Sequence, residues 1–126
     1  MTTLRMTVII LMLLVCVGCS HHYTPLPPEV KGVWTTDDPR YRDRFLELSQ
    51  AFVIVVTGPH DTPSVQLVDK VEIEPMGLDE ALTIYSTDYS DGAHYQMALQ
   101  FSPANGGEIR FKNQGQVWKR RGDTAR

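Results

Sequence analysis

The chain has 126 residues and a formal net charge of −3, which leaves room for one domain at most. Its two cysteines fall at positions 16 and 19, so no disulfide framework can staple the residues beyond them. The acidic balance argues against nucleic acid as the main partner.

Residues 1–6 carry one basic residue, Arg5, and no acid. Residues 8–17 are ten positions without charge or proline, ending in Val17-Gly18-Cys19. A membrane-spanning helix needs about 20 such residues. The run has the length of the apolar region of a secretory signal instead. Residues 1–18 are therefore read as a signal peptide that is removed, with cleavage between Gly18 and Cys19.

Cys16-Val17-Gly18-Cys19 resembles the lipobox of bacterial lipoproteins: an aliphatic residue, a small residue, then cysteine. Position 16 departs from that pattern, which usually has Leu there. The resemblance implies that the Cys19 sulfur carries diacylglycerol and that its new amino group is acylated, with palmitate as a typical chain. Cys16 is the alternative lipid site, but it would place bulky Val15 where a small residue belongs. A signal without lipid and a retained anchor are further alternatives. Two or more acyl chains anchor a protein stably where one is marginal. In this reading Cys16 leaves with the signal and Cys19 is consumed by lipid. The mature net charge then becomes −3 − 1 = −4, since only Arg5 is lost. Ser20 after the cysteine implies sorting to the outer membrane, facing the periplasm, under the common enterobacterial rule.

Residues 19–31 are read as the lipidated cysteine followed by a tether. Pro25, Pro27 and Pro28 disfavour helix and favour an extended, semi-rigid spacer. His21 and His22 lack further metal ligands of the right type nearby.

From residue 32 onward the pattern is strand after strand with turn residues between. Strands are expected over 32–36, 44–48, 52–57, 64–74, 82–88, 94–101, 108–112 and 116–120. In the fourth, Val65, Leu67, Val71 and Ile73 share one face. Strict alternation would put Asp69 on that face too, so either a bulge turns it out or it meets a polar partner inside. The sixth alternates most clearly, with Tyr95, Met97, Leu99 and Phe101 on one face. Asp-Gly at 91–92 suits a hairpin turn. No segment sustains a 3.6-residue apolar period. The expected fold is all-β: a small antiparallel up-and-down meander of about eight strands over 32–121, closing into a barrel that removes unpaired edges. Residues 122–126 form a C-terminal tail.

Gly32-Val33-Trp34 at the first strand, with basic residues after the last, is similar to lipocalin-like barrels. The longer run from Gly32 to Tyr41, with Phe111-Lys112-Asn113-Gln114 and Val117-Trp118-Lys119, resembles small uncharacterised bacterial domains of that kind. The resemblance implies a fold and no reaction. It implies that Arg120 or Arg121 packs across Trp34 and closes the barrel base, a cation–π contact worth roughly 0.5–2 kcal/mol.

Trp34, Asp69, Tyr85, Tyr95, Met97 and Phe101 are the candidate ligand-binding or core residues. Asp37 and Asp38, followed by Arg40, read as a structured loop in which an aspartate bonds turn amides. The basic residues Arg110, Lys112, Lys119, Arg120, Arg121 and Arg126 read as a solvated edge or a surface for anionic lipid. His60 and His94 sit in no nucleophile or metal motif. No catalytic residue, metal ligand or cofactor is expected. The expected role is that of a non-catalytic, membrane-anchored binding barrel of the bacterial envelope, taking a small apolar ligand or an envelope component. The alternative is an inhibitor or interaction lipoprotein that acts through its loops around a solid core.

Overall fold

The computed structural model describes residues 25–122. The expected cleavage site, Cys19, residues 20–24 of the expected tether and residues 123–126 of the expected tail lie outside the described residues. Eight strands run in chain order: β1 (Gly32–Thr35), β2 (Phe45–Leu48), β3 (Phe52–Val56), β4 (Ser64–Met76), β5 (Asp79–Asp88), β6 (His94–Ser102), β7 (Glu108–Phe111) and β8 (Trp118–Arg120). Each pairs antiparallel with the next, and β8 returns to β1 through Trp34↔Arg120 and Thr35↔Lys119. The result is a closed up-and-down barrel. Three short 3₁₀ turns, Pro28–Val30, Pro39–Tyr41 and Ala104–Gly106, are the helical elements among the described residues.

Alternation selects the inner face. In β5, Leu82, Ile84, Ser86 and Asp88 are buried while the residues between them are half-buried. In β6, Leu99 and Phe101 are buried, and they register against Leu82 and Glu80 of β5. These pairs share a face, as period-two strands require.

β4 departs from the expected phase. Gln66 and Val68 point inward and Leu67 is exposed. A register shift between Val68 and Lys70 then restores Val71 to the inside. The extra residue is Asp69, which the bulge turns outward. The apolar identities of Val65 and Leu67 suggested the wrong face, because the inward Gln66 is satisfied by hydrogen bonds rather than by packing. β4 and β5 are also longer than expected. They pair down to Met76↔Asp79 and leave only Gly77 and Leu78 for the turn. Gly77 adopts φ +64°, a left-handed conformation that glycine accepts without a Cβ penalty. Beyond Leu67, β4 has left β3 behind. Its free edge carries Lys70, Glu72, Glu74 and Pro75, residues that discourage strand addition.

One end of the barrel is sealed. Trp34 lies fully buried there, edge-on to Phe101 with ring centroids 6.3 Å apart. Its Nε1 donates to the Val30 carbonyl at 3.0 Å. The Arg120 guanidinium lies 4.9 Å from the Trp34 ring and donates to the Glu29 carbonyl. Gly32 makes room for this arginine: a Cβ at that position would meet Arg120 Nε at 3.1 Å. That gives the Gly-X-Trp motif a steric reason. Arg121 takes another course, with its amide bonded to the Val33 carbonyl and its guanidinium 5.6 Å from the Phe45 ring.

Leu26 and Val30 are fully buried and belong to the main core cluster. The segment expected to be tether up to residue 31 is therefore folded from at least Leu26. Two prolines at 27 and 28 set the tight turn that delivers Val30 beneath Trp34.

Candidate functional site

The opposite end of the barrel is open. β7 pairs with β6 between Leu99 and Ser102, and the Lys112 amide adds one bond to the Ala98 carbonyl at 3.3 Å, so His94 to Met97 of β6 extend past it. A cavity of about 480 Å³ opens there. Its apolar wall includes Tyr41, Phe45, Val55, Met97, Phe111 and Trp118. Arg44, Lys112 and Gln114 stand among its polar lining residues. The volume falls within the range of small-molecule sites, about 300–1,000 Å³.

Each wall residue has a local reason to be there. Pro39–Tyr41 forms a single turn because the Asp38 carboxylate accepts from the Arg40 amide at 3.0 Å. The same carboxylate pairs with the Arg40 guanidinium at 2.7 Å. These bonds hold the Asp38 carboxyl far below the usual carboxylate range, the guanidinium contributing most. The turn delivers Tyr41 against Trp118, with centroids 6.0 Å apart. Phe111 meets Trp118 edge-on at 5.7 Å. Arg44 lies 5.0 Å from the Tyr41 ring. Trp118 Nε1 is buried and finds no hydrogen-bond partner among the described residues.

A polar ladder climbs the inside of β4 and β5 beside this cavity. Ser86 Oγ donates to Gln66 Oε1 at 2.7 Å. Gln66 Nε2 donates to Ser64 Oγ at 3.2 Å, and that hydroxyl donates to Asp88 Oδ2 at 3.1 Å. Asp88 Oδ1 accepts from the Ser90 hydroxyl at 2.6 Å, the Ser90 amide at 2.8 Å and the Asp91 amide at 3.3 Å. The Ser90 bonds, more than any other contact, hold the Asp88 carboxyl below its ordinary range against the opposing effect of desolvation. The ladder is internally satisfied, so its role is to fix the β5–β6 turn at the mouth.

The six sequence-derived candidates separate into three groups. Trp34 and Phe101 seal the base. Met97 is half-buried in the cavity wall, and Tyr95 is 46% exposed at its lip. Asp69 and Tyr85 lie on the outside wall and drop out of both the ligand-facing and the core set. Asp69 follows the bulge outward and accepts from Thr87 Oγ1 at 2.7 Å. Tyr85 sits between inward Ile84 and Ser86, so the pleat must turn it out. There it donates to Glu72 at 3.2 Å beneath the Lys70 ammonium. Of the two arginines expected at the base, Arg120 covers Trp34 and Arg121 does not. Sequence reasoning missed Tyr41, Phe111, Trp118 and Gln66 as wall residues. Trp118 alone carried a usable signal, since it is the one aromatic in the strand expected over 116–120, which ends Lys-Arg.

Asp69, Thr87 and His94 form a hydrogen-bonded line on the outer wall, with Thr87 Oγ1 3.1 Å from His94 Nδ1. A nucleophilic triad needs the imidazole between carboxylate and hydroxyl. Here the hydroxyl is in the middle and its proton is committed to Asp69. None of the three residues lines the apolar cavity at the open end. Among the described residues no three His, Cys, Asp or Glu side chains are grouped to hold a metal ion.

Two further hollows are larger and no more open than the apolar cavity, but neither has an aromatic wall. One of about 660 Å³ lies on the outer wall among Thr36, Asp38, Arg40, Glu108, Arg110 and Lys119, with charges of both signs. One of about 650 Å³ lies at the base around Gly32, Gly107 and Arg120.

No family model matches this chain, and neither a curated protein nor a solved structure does. The class of protein is therefore defined by its geometry: a small closed β-barrel, sealed at one end and open to an apolar cavity at the other.

Proposed function

We propose that this chain is a lipid-anchored protein of the bacterial envelope, of lipocalin-like build, whose barrel binds a small apolar ligand without catalysis. The observation that carries the binding reading is the cavity at the open end. Aromatic and aliphatic side chains form its wall, and Arg44 and Lys112 stand ready for a polar or anionic end of the ligand. A loop-acting inhibitor with a solid core would have no reason to leave its upper interior unfilled. The anchoring reading rests on Val17-Gly18-Cys19 after an apolar run of signal length.

Native mass spectrometry of the full chain, extracted from cells in mild detergent, tests the binding. Wild type should carry a small molecule that Met97→Trp, with its cavity filled, has lost. Equal retention by both, or repeated absence from wild type, would sink the cavity as the site. Labelled fatty acid tests the anchor separately. It should enter wild type and not Cys19→Ala, and a mutant that still labels would move the lipid to Cys16.

A further inference from the structure

We propose that the β4–β5 turn docks shallowly into the lipid bilayer beside the anchor. This rests on the lipid-anchored reading above and adds a second, non-covalent membrane contact. Leu78 at the turn is 93% exposed, Met76 51% and Ile73 41%. The turn itself needs only Gly77, whose φ is +64°; nothing in its geometry asks for leucine at the next position. Turn tips are ordinarily Gly, Asn, Asp or Ser, so an apolar tip with no neighbour to pack on calls for a partner.

Topology says which partner is within reach. The chain enters β1 at the sealed base. Because all eight strands alternate in direction, the β4–β5 turn opens at that same end. The β5–β6 ladder finishes at Glu80↔Phe101, and Phe101 meets Trp34 edge-on in the base. Leu78 lies two residues beyond Glu80, a projection of roughly 7 Å along the strand. The first described residue, Pro25, is six residues after Cys19. Fully extended, that stretch spans at most about 21 Å. A lipid on Cys19 therefore holds the base close to the bilayer, with the apolar tip projecting past the seal. The cavity mouth then faces away from lipid.

Charge limits how the tip engages. Glu74, Asp79 and Glu80 stand just behind it. They stay in water or among headgroups, so penetration stops at the tip and uncharged headgroups suit it best.

The test uses the full lipidated chain in phosphatidylcholine vesicles. Leu78→Cys and Ser90→Cys place one environment-sensitive thiol dye at the tip and at the mouth. Leu78 is almost fully exposed among the described residues, so its substitution leaves the fold intact. The dye at position 78 should shift to the blue and be quenched by brominated acyl chains at least threefold more than the dye at 90. Equal quenching at the two sites, with fatty-acid label present on the protein, would overturn the docking and leave the anchor standing. A shift at 78 that ignores brominated lipid and grows with protein concentration would also overturn it, by assigning the tip to a second copy. Absence of fatty-acid label would instead remove the anchor on which the docking depends.

Discussion

Leu26 and Val30 are treated by the barrel as core, although they precede the first strand. Leu26→Ala and Val30→Ala should therefore cost what buried positions cost. A fully buried Leu→Ala change removes about 2–5 kcal/mol, the spread depending on how far the cavity collapses. Val30→Ala deletes two methyl groups at about 0.8 kcal/mol each before any cavity cost. Domains of this size are stable by about 5–15 kcal/mol, so the pair would consume much of the total. With a urea m-value of about 1.5 kcal/mol/M, Leu26→Ala alone should lower the midpoint by roughly 1.3–3.3 M. The assay is urea unfolding of the full chain in a Cys19→Ala background, followed by tryptophan fluorescence. Trp34 is a local reporter, because its Nε1 donates to the Val30 carbonyl. Removing everything before Gly32 should do more harm than both substitutions. It deletes the two side chains, the Val30 acceptor for Trp34 and the Glu29 acceptor for Arg120. An orphaned buried indole N–H adds about 1–3 kcal/mol. Leu78→Ala is the control, since exposed positions usually change stability by less than about 0.5 kcal/mol. If Leu26→Ala changed the midpoint no more than Leu78→Ala, the segment would be a tether after all.

Arg120→Lys should destabilise by about 0.5–2 kcal/mol and leave Trp34 fluorescence red-shifted, because an ammonium cannot both cover the indole and reach the Glu29 carbonyl; an unchanged midpoint would remove the base seal from the fold's energetics. Gly107→Ala should cost more than about 1 kcal/mol, because φ there is +100° and a Cβ would lie 3.3 Å from Trp34 Cη2; a neutral result in thermal unfolding would refute that packing. Asp88→Asn should flatten the acid limb of stability. The Asp88 carboxyl has a folded pKa below its unfolded value of about 3.9. Its stabilisation is thus fully present above that value and is lost as pH falls through the folded pKa. Urea midpoints measured from pH 6 to pH 2 should fall less steeply in the variant than in wild type, and parallel curves would refute the assignment.

Most of the fold was legible because alternation is a local signal. The run from Tyr95 to Phe101 declares its inner face in seven residues, and Asp-Gly at 91–92 marks the turn before it. The expected eight strands close as the pattern implied. Errors arose where a non-local contact outvoted residue identity. Gln66 points inward because the Ser86 hydroxyl, twenty residues away, donates to its Oε1 there. Tyr85 looks like core by composition, yet its neighbours Ile84 and Ser86 hold the inner face. Leu26 and Val30 hide among prolines, and nothing in a Pro-rich stretch says that its two apolar residues are aimed at a tryptophan. The cavity was harder still. Its wall is assembled from a loop tyrosine, a strand-end phenylalanine and Trp118, which meet only once the barrel has closed.

The open mouth and the exposed tip share one cause, which is unequal strand length. β4, β5 and β6 have 13, 10 and 9 residues, whereas β1, β2 and β7 have 4 each and β8 has 3. A barrel made from such strands cannot be a cylinder of even height. The tall strands overrun the short ones in both directions. At one end, β6 passes the end of this pairing by four residues, His94 to Met97, and the wall missing opposite them is the cavity. At the other, β4 and β5 overrun β3, and their turn becomes the apolar tip. A short chain ordinarily argues against a binding cavity, because there is too little of it to enclose one. Here the shortness falls on five of the eight strands, and the space they leave open is the cavity proposed above to bind the ligand. If that proposal holds, lengthening β7 and β8 by two residues each should complete the wall, raise the urea midpoint and remove the ligand from native mass spectra together, since one structural deficit underlies all three.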